Sequence, residues 1–149
     1  MNRSKNQVTE THICRTAKDM IELGKAFAER LKKGDVVSLR GSLGSGKTVF
    51  VKGVALALNI KENITSPTFT LVQQYNGNMQ MNHLDLYRLT SVEDFYNIGG
   101  NDFLYPEGIS LIEWTEVIDS ILPENTYRIT ISLRQDLSRE VNISVRTGQ

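Results

Sequence analysis

The chain has 149 residues, of which 40 % are apolar, and this combination predicts one domain with a real core. Its 17 basic and 17 acidic residues balance, which gives no electrostatic reason to expect tight, non-specific binding to nucleic acid but leaves a role in an RNA pathway open. No apolar run approaches the roughly 18 residues of a membrane span, the first residues are polar, and Cys14 is the only cysteine, so we expect a cytoplasmic protein with no membrane association and no internal disulfide.

The first part of the chain predicts alternating strands and helices. Residues 7–14 suit an edge strand, and Thr16 with Asp19 forms a capping-box pattern that opens a helix. Apolar residues at helical spacing extend this helix toward Gly34, where a helix would end. Residues 36–39 form a short apolar run typical of a buried strand, and a second helix should follow and stop near Asn59.

The remaining residues predict two hairpins separated by mixed structure. Residues 69–75 and 79–86 flank the turn Asn76-Gly77 and form the first hairpin. Ser91 caps a short helix, residues 109–112 form a buried strand, and residues 114–122 form a further helix. Alternating apolar residues over 127–133 and 141–145 predict the second hairpin. This order predicts a single α/β domain over residues 1–149, with a mixed central sheet, flanking helices and antiparallel hairpins at its edges.

The most informative motif lies between the second predicted strand and the helix after it. Residues 41–48 read Gly-Ser-Leu-Gly-Ser-Gly-Lys-Thr and meet the P-loop pattern in full. Lys47 would reach the β- and γ-phosphates of a nucleotide, and the Thr48 hydroxyl would ligate Mg²⁺. The sequence thus predicts a P-loop NTPase-like domain, and the absence of a guanine-reading Asn-Lys-x-Asp motif favours ATP. The predicted nucleotide contacts are Gly41, Leu43, Gly44, Ser45, Gly46, Lys47 and Thr48.

Two carboxylates at predicted strand ends are candidates for the metal side of this site. Glu113 follows the strand at 109–112 and has the better position for a metal ligand. Asp85 would orient the attacking water or hold the water shell of the metal, and His83 would help to position Asp85. For either carboxylate alone, the alternative is a solvated or capping side chain.

Four further candidates remain open from the residues alone. Ser66-Pro67-Thr68 is either a switch-like loop near the γ-phosphate or an ordinary turn. Trp114 is either a packing residue or part of the site. Arg88 and Arg139 are either phosphate or base contacts or solvated surface arginines.

Four segments occur in a fixed order along the chain: the P-loop, Ser-Pro-Thr-Phe-Thr-Leu-Val, His-Leu-Asp-Leu-Tyr-Arg-Leu and Leu-Ile-Glu-Trp. This set resembles the bacterial TsaE (YjeE) family of small ATPases required for threonylcarbamoyladenosine synthesis on tRNA. The resemblance implies that Thr48 and Glu113 hold Mg²⁺ and that Lys47, Asp85 and Trp114 belong to the catalytic centre. It also implies nucleotide contacts from the switch-like loop, through Ser66 and Thr68, and from residues beside the adenine, namely Thr16, Ala17 and Arg139.

The resemblance implies an accessory role rather than the modification reaction itself. A protein of this kind docks on the partner proteins TsaD and TsaB, contacts tRNA only indirectly, and hydrolyses ATP slowly to reset the complex between turnovers. Two positions depart from the pattern of the family: Thr115 stands where proline is common, and Ser138 stands where glycine is frequent.

Two other functions are compatible with the motifs. A small-molecule P-loop kinase would use Asp85 to accept a proton from a substrate hydroxyl, but the arginine-rich lid expected between residues 87 and 127 is absent from the sequence. A nucleotide sensor would use ATP only to fix the conformation of the loop at residues 66–68.

Overall fold

A computed structural model describes residues 7–66 and 71–146. The strands are β1 (Gln7–Cys14), β2 (Val36–Arg40), β3 (Val72–Asn76), β4 (Gln80–Asp85), β5 (Ile109–Glu113), β6 (Tyr127–Leu133) and β7 (Arg139–Arg146). The α-helices are α1 (Ala17–Ala28), α2 (Lys47–Ala57) and α3 (Val92–Asn97), and two 3-10 helices span Gly100–Leu104 and Thr115–Ile121. None of the described helices is long and apolar enough to cross a membrane.

The strands form one seven-stranded mixed sheet in the order β1-β7-β6-β2-β5-β4-β3. The four central strands, β6, β2, β5 and β4, run parallel to one another. β7 is antiparallel to both β6 and β1, and β3 is antiparallel to β4. The predicted fold class is therefore confirmed, with parallel strands beside the P-loop and antiparallel pairs toward both edges.

Each face of the sheet carries its own apolar cluster. Side chains alternate between faces along a strand, so Val37 and Leu39 of β2 join the cluster that contains α1 and α2, whereas Val36 joins the other. That second cluster contains Phe95 of α3 and Ile118 of the last 3-10 helix. The helix that follows the P-loop therefore lies on the opposite face from α3 and the two 3-10 helices.

Two glycines allow α1 and α2 to pack unusually closely. A Cβ atom added at Gly24 would lie 2.4 Å from the carbonyl oxygen of Phe50, and one added at Gly53 would lie 2.2 Å from that of Ile21. Both distances are far below van der Waals contact, so the backbones touch without an intervening side chain. This contact fixes the position of α1 relative to the helix of the P-loop.

Two predicted elements differ from the structure. The first helix ends at Ala28 rather than near Gly34, because the next amide groups, including that of Leu31, bond to carbonyls three residues back and tighten the chain. The predicted helix at 114–122 is a 3-10 helix interrupted by non-helical geometry at Ile118. The strand predicted at 69–75 begins at Val72 as described, and residues 69 and 70 lie outside the described residues.

An ion pair joins the edge strand β1 to the end of α1 and makes stability depend on pH. Glu10 accepts hydrogen bonds from Arg30 at 2.6 and 2.8 Å and from His12 at 3.1 Å, and these bonds, with Arg30 first, lower the pKa of Glu10 to about 2. Since its unfolded value is 4.5, the pair stabilises the fold fully above that pH, and the contribution is lost as the pH falls toward 2.

We expect Glu10→Gln to lower the free energy of unfolding at pH 7 by about 0.5–1 kcal/mol, as for a partly exposed ion pair. Denaturant titrations from pH 7 to pH 2 should show the difference from the parent shrinking below pH 4.5. Glu22→Gln, at an exposed pair with Lys25 at 3.8 Å, is the control. A difference that persists unchanged at pH 2 contradicts the assignment.

Candidate nucleotide-binding site

The P-loop connects the carboxyl end of β2 to the first residue of α2. Gly46 is the N-cap of α2 with a φ of 115°, a left-handed conformation that glycine adopts without strain. At Gly41 an added Cβ would lie 2.7 Å from the carbonyl oxygen of Ile131, so the loop passes too close to β6 for any side chain. Because the N-cap has no side chain, no cap hydrogen bond covers the start of α2, and its first amide groups are available to an anion.

Lys47 is the buried cation of the site. Its Nζ donates to the carbonyl oxygens of Gly41 at 2.5 Å and Ser42 at 3.2 Å, and it lies 4.2 Å from the centroid of the Trp114 ring. Burial lowers the pKa of Lys47, and the negative charges of Glu113, Asp85 and Glu116 oppose that shift. An anionic ligand would act in the same direction as these carboxylates and favour the charged lysine.

Glu113, the last residue of β5, contacts both α2 and the adjacent strand β4. Its Oε2 accepts a hydrogen bond from the Thr48 hydroxyl at 3.1 Å and lies 2.7 Å from Nε2 of His83. His83 is fully buried, and its Nδ1 has no hydrogen-bond partner. As an ionised carboxylate only accepts, Nε2 carries the imidazole proton. His83 therefore orients Glu113, which corrects the prediction that it positions Asp85.

Asp85 lies beside Glu113 and reaches toward a different segment. The two residues are directly paired on the adjacent parallel strands β4 and β5, so both carboxylates stand at the carboxyl edge of the sheet. Asp85 Oδ2 accepts from the Ser66 hydroxyl at 3.1 Å, and Oδ1 accepts from the backbone amide of Tyr87 at 3.0 Å. Asp85 thus holds the chain next to residues 67–70, and Glu113 holds Thr48.

Trp114 covers one side of the cleft. It has a left-handed backbone with a φ of 61°, and its ring centroid lies 4.9 Å from that of Tyr87. The following residue, Thr115, is buried, and its hydroxyl is 2.6 Å from that of Ser38. A buried hydroxyl pair thus secures this turn at the position where the resemblance leads one to expect proline.

A second, smaller pocket of about 150 Å³ adjoins the P-loop on the side of α1. It brings together Thr16, Ala17 and Arg139, the residues predicted to lie beside the adenine. Arg139 donates to the carbonyl oxygens of Gly44 and Ser45. The preceding Ser138 does not have a positive φ; the left-handed residue of this turn is Leu137, so the turn does not require the glycine common in the family.

The main cleft has a volume of about 410 Å³. It gathers most of the predicted site residues and adds Tyr87 and Val49, which sequence reasoning missed, although Tyr87 follows Asp85 by only two positions. The Ser45 hydroxyl is buried without a partner, so only its backbone faces a ligand, and Thr68 lies outside the described residues. The residues around the cleft are Leu43, Gly44, Ser45, Gly46, Lys47, Thr48, Val49, Ser66, Asp85, Tyr87, Arg88, Glu113 and Trp114.

The oxygen donors of the cleft suit Mg²⁺ better than a metal ion whose ligands all come from protein side chains. Among the described residues, no three His, Cys, Asp or Glu side chains form a cluster that would hold a metal. The hydroxyl of Thr48 and the carboxylate of Glu113 meet at 3.1 Å. Mg²⁺ prefers such oxygens and keeps several of its waters, so one or two protein ligands suffice.

A buried parallel strand, a glycine-rich loop and a helix with an uncapped N-terminus place a lysine, a threonine and two strand-end carboxylates around one cleft. These features define the class: the chain is a P-loop protein with its site at the carboxyl edge of a mixed α/β sheet.

Comparison with known proteins gives the family. Residues 14–141 match the family described as Threonylcarbamoyl adenosine biosynthesis protein TsaE, and the chain belongs to this family. It is 45 % identical over 132 residues to a tRNA threonylcarbamoyladenosine biosynthesis protein TsaE of Treponema pallidum, covering 89 % of this chain and 98 % of the relative.

Two comparisons with Bacillus subtilis agree with this assignment. The chain is 37 % identical to the TsaE protein of that organism over 128 residues, covering 85 % of this chain and 78 % of the relative. The crystal structure of Bacillus subtilis YdiB superposes with a TM-score of 0.77 at 28 % identity, covering 94 % of this chain and 87 % of that structure.

Proposed function

We propose that the chain binds ATP with Mg²⁺ in the main cleft and hydrolyses it slowly, as an accessory component of the assembly that forms threonylcarbamoyladenosine on tRNA. The observation that carries the proposal is the convergence of Lys47, Thr48 and Glu113 at the N-terminus of α2. A positive helix end, an ammonium group and a carboxylate-bound hydroxyl are the groups that a triphosphate and its metal require.

The residues divide the work within this proposal. Thr48 and Glu113 hold Mg²⁺, which, when bound, neutralises charge on the phosphate oxygens. Lys47 exchanges its bonds to the carbonyls of Gly41 and Ser42 for the phosphates. Asp85, at the same sheet edge, orients the attacking water, and its bond to Ser66 links this role to the adjoining loop.

The geometry disfavours a small-molecule kinase. Such an enzyme needs a lid over the phosphates, and the sequence offers residues 87–127 for that purpose. Phe95, Leu104 and Ile118 of this segment are instead buried in the cluster on the face opposite α2. α3 and the two 3-10 helices are therefore committed to the core and are not available to close over the P-loop, whereas Tyr87, Arg88 and Trp114 of the same segment line the cleft.

The proposed partners are TsaD and TsaB, with tRNA contacted only indirectly. The names of the relatives place the relatives themselves in threonylcarbamoyladenosine biosynthesis. The balanced charge of this chain gives no electrostatic reason for direct binding to tRNA. Co-purification with TsaD and TsaB, with and without Mg²⁺ and ATP, tests this part. Stoichiometric binding of tRNA by the isolated chain at physiological salt is the contrary outcome.

The binding proposal is tested with Lys47→Met, which keeps the bulk of the side chain and removes the charge. The lost charge-assisted bonds to phosphate should weaken Mg²⁺–ATP binding by about tenfold or more in equilibrium titrations. Lys52→Met, five residues further along α2, is the control and should bind like the parent. Equal affinity for Lys47→Met and the parent would rule out the cleft as the triphosphate site.

A further inference from the structure

Arg139 makes an unusual set of contacts with the P-loop. It opens β7 and lies 94 positions from Ser45 in the sequence, yet its Nε donates to the carbonyl oxygen of Ser45 at 3.2 Å. Its Nη2 donates to the carbonyl oxygen of Gly44 at 3.1 Å, and its Nη1 to that of Leu137 at 3.1 Å. All three nitrogens of the guanidinium are thus bonded to main-chain oxygens.

These bonds determine which way two successive peptide groups of the loop face. The carbonyl and the amide hydrogen of a trans peptide point in opposite directions. Holding the Gly44 carbonyl therefore directs the Ser45 amide away from Arg139, where it donates to Ser42 at 3.1 Å. Holding the Ser45 carbonyl directs the Gly46 amide away from Arg139 in the same manner. Gly46 is the N-cap of α2 and lines the main cleft, so the orientation of this peptide group bears on how the start of the helix meets a phosphate.

The guanidinium is itself anchored on the side away from the loop. Leu137, whose carbonyl accepts Nη1, has a φ of 72°, a conformation that costs a bulky residue energy. The turn around it is secured because the backbone amide and hydroxyl of Ser138 both donate to Asp136 Oδ1, at 3.0 and 2.5 Å. A strained but well-bonded turn therefore presents Arg139 to the P-loop in a fixed orientation.

We propose that Arg139 is a positioning residue that holds the P-loop in its phosphate-binding shape from behind. The inference rests on the proposed function, which supplies the triphosphate as the ligand. Support of the P-loop is a different role from contact with the adenine base. The N–H groups of a guanidinium lie in its plane, so these hydrogen bonds do not themselves occupy a face on which adenine could stack. The two roles differ in their consequence: a loop support affects every polyphosphate, and a base contact affects only ligands that carry a base.

The test compares ligands with and without a base. Arg139→Met should weaken binding of Mg²⁺–ATP and of Mg²⁺–tripolyphosphate by the same factor, about tenfold. Arg139→Lys should recover little, because an ammonium group does not reproduce the planar, widely spaced donors of the guanidinium that reach the carbonyls of Ser45, Gly44 and Leu137. Arg134→Met, an exposed arginine of the same turn that pairs with Glu140, is the control. A loss for ATP with unchanged tripolyphosphate affinity would overturn the proposal in favour of a base contact.

A measurement without ligand separates this proposal from the function it rests on. In the nucleotide-free protein, Arg139→Met should speed hydrogen exchange of the Ser45 amide, which donates to Ser42 in the parent, while the amides of β2 and β5 keep the protection of the parent. Unchanged exchange in the loop overturns the proposal. If the parent binds neither ligand, the proposed function fails, and the exchange rates alone decide the role of Arg139.

Discussion

Glu113→Gln should lower the rate of ATP hydrolysis by at least about 100-fold while leaving ATP binding largely intact. The amide keeps the shape of the side chain and one acceptor oxygen for Thr48 and His83, which now bond to the carboxylate at 3.1 and 2.7 Å. It removes the negative charge proposed to hold Mg²⁺. A group that stabilises charge in the transition state is typically worth a factor of about 100–1,000 in rate.

The measurements are single-turnover hydrolysis of ATP and an independent binding titration at saturating Mg²⁺. Glu107→Gln is the control, because Glu107 is exposed and precedes the opposite end of β5. The hypothesis fails if Glu113→Gln hydrolyses ATP at the rate of the parent. Loss of binding together with rate would instead assign Glu113 to ground-state binding.

The same variant distinguishes an accessory protein that must hydrolyse ATP from a nucleotide sensor that needs only to bind it. If hydrolysis drives the assembly, Glu113→Gln should bind ATP and fail to support tRNA modification in a system reconstituted with TsaD and TsaB. If ATP only fixes the conformation of the loop that begins at Ser66, the variant should remain functional. Slow hydrolysis by the parent is compatible with both, so the modification assay and not the ATPase rate decides.

Local patterns predicted the parts of the site that are continuous in sequence. The P-loop, the start of α2 at Lys47 and the strand ends at Asp85 and Glu113 depend on neighbouring residues, which a pattern contains. The turn Asn76-Gly77 likewise predicted the first hairpin, and the alternation of apolar residues predicted the second. Parallel pairing of β4 with β5 then places Asp85 beside Glu113, because the carboxyl ends of parallel strands meet at one edge.

Contacts between distant segments were not predictable in the same way. His83 and Asp85 lie two positions apart, and only the register of β4 against β5 shows that the imidazole reaches Glu113. Arg139 reaches the P-loop because β7 lies two strands from β2, a placement that no local pattern encodes. The spacing of apolar residues also did not distinguish α-helical from 3-10 hydrogen bonding, which ends α1 at Ala28 and shapes the segment after Trp114.

Gly53→Ala should destabilise the protein by about 1–3 kcal/mol, the range expected for overpacking a tight contact. Within a helix, glycine to alanine ordinarily stabilises by about 0.5–1 kcal/mol, so the sign of the change is itself diagnostic. The added methyl would lie 2.2 Å from the carbonyl oxygen of Ile21 and 3.0 Å from the Cα of Gly24. Neither is the end of a flexible side chain, so α1 and α2 must separate.

Denaturant unfolding of Gly53→Ala, with Leu56→Ala on the exposed side of α2 as the control, measures this cost. A stabilised Gly53→Ala protein would show that the helices do not cross this closely. Separation of the helices should also weaken ATP binding, because Met20 of α1 packs under the P-loop, with its Cε 3.1 Å from the position of a Cβ at Gly46. The Gly24–Gly53 contact therefore supports the nucleotide site as well as the fold, and a destabilised variant that keeps full affinity would separate those two roles.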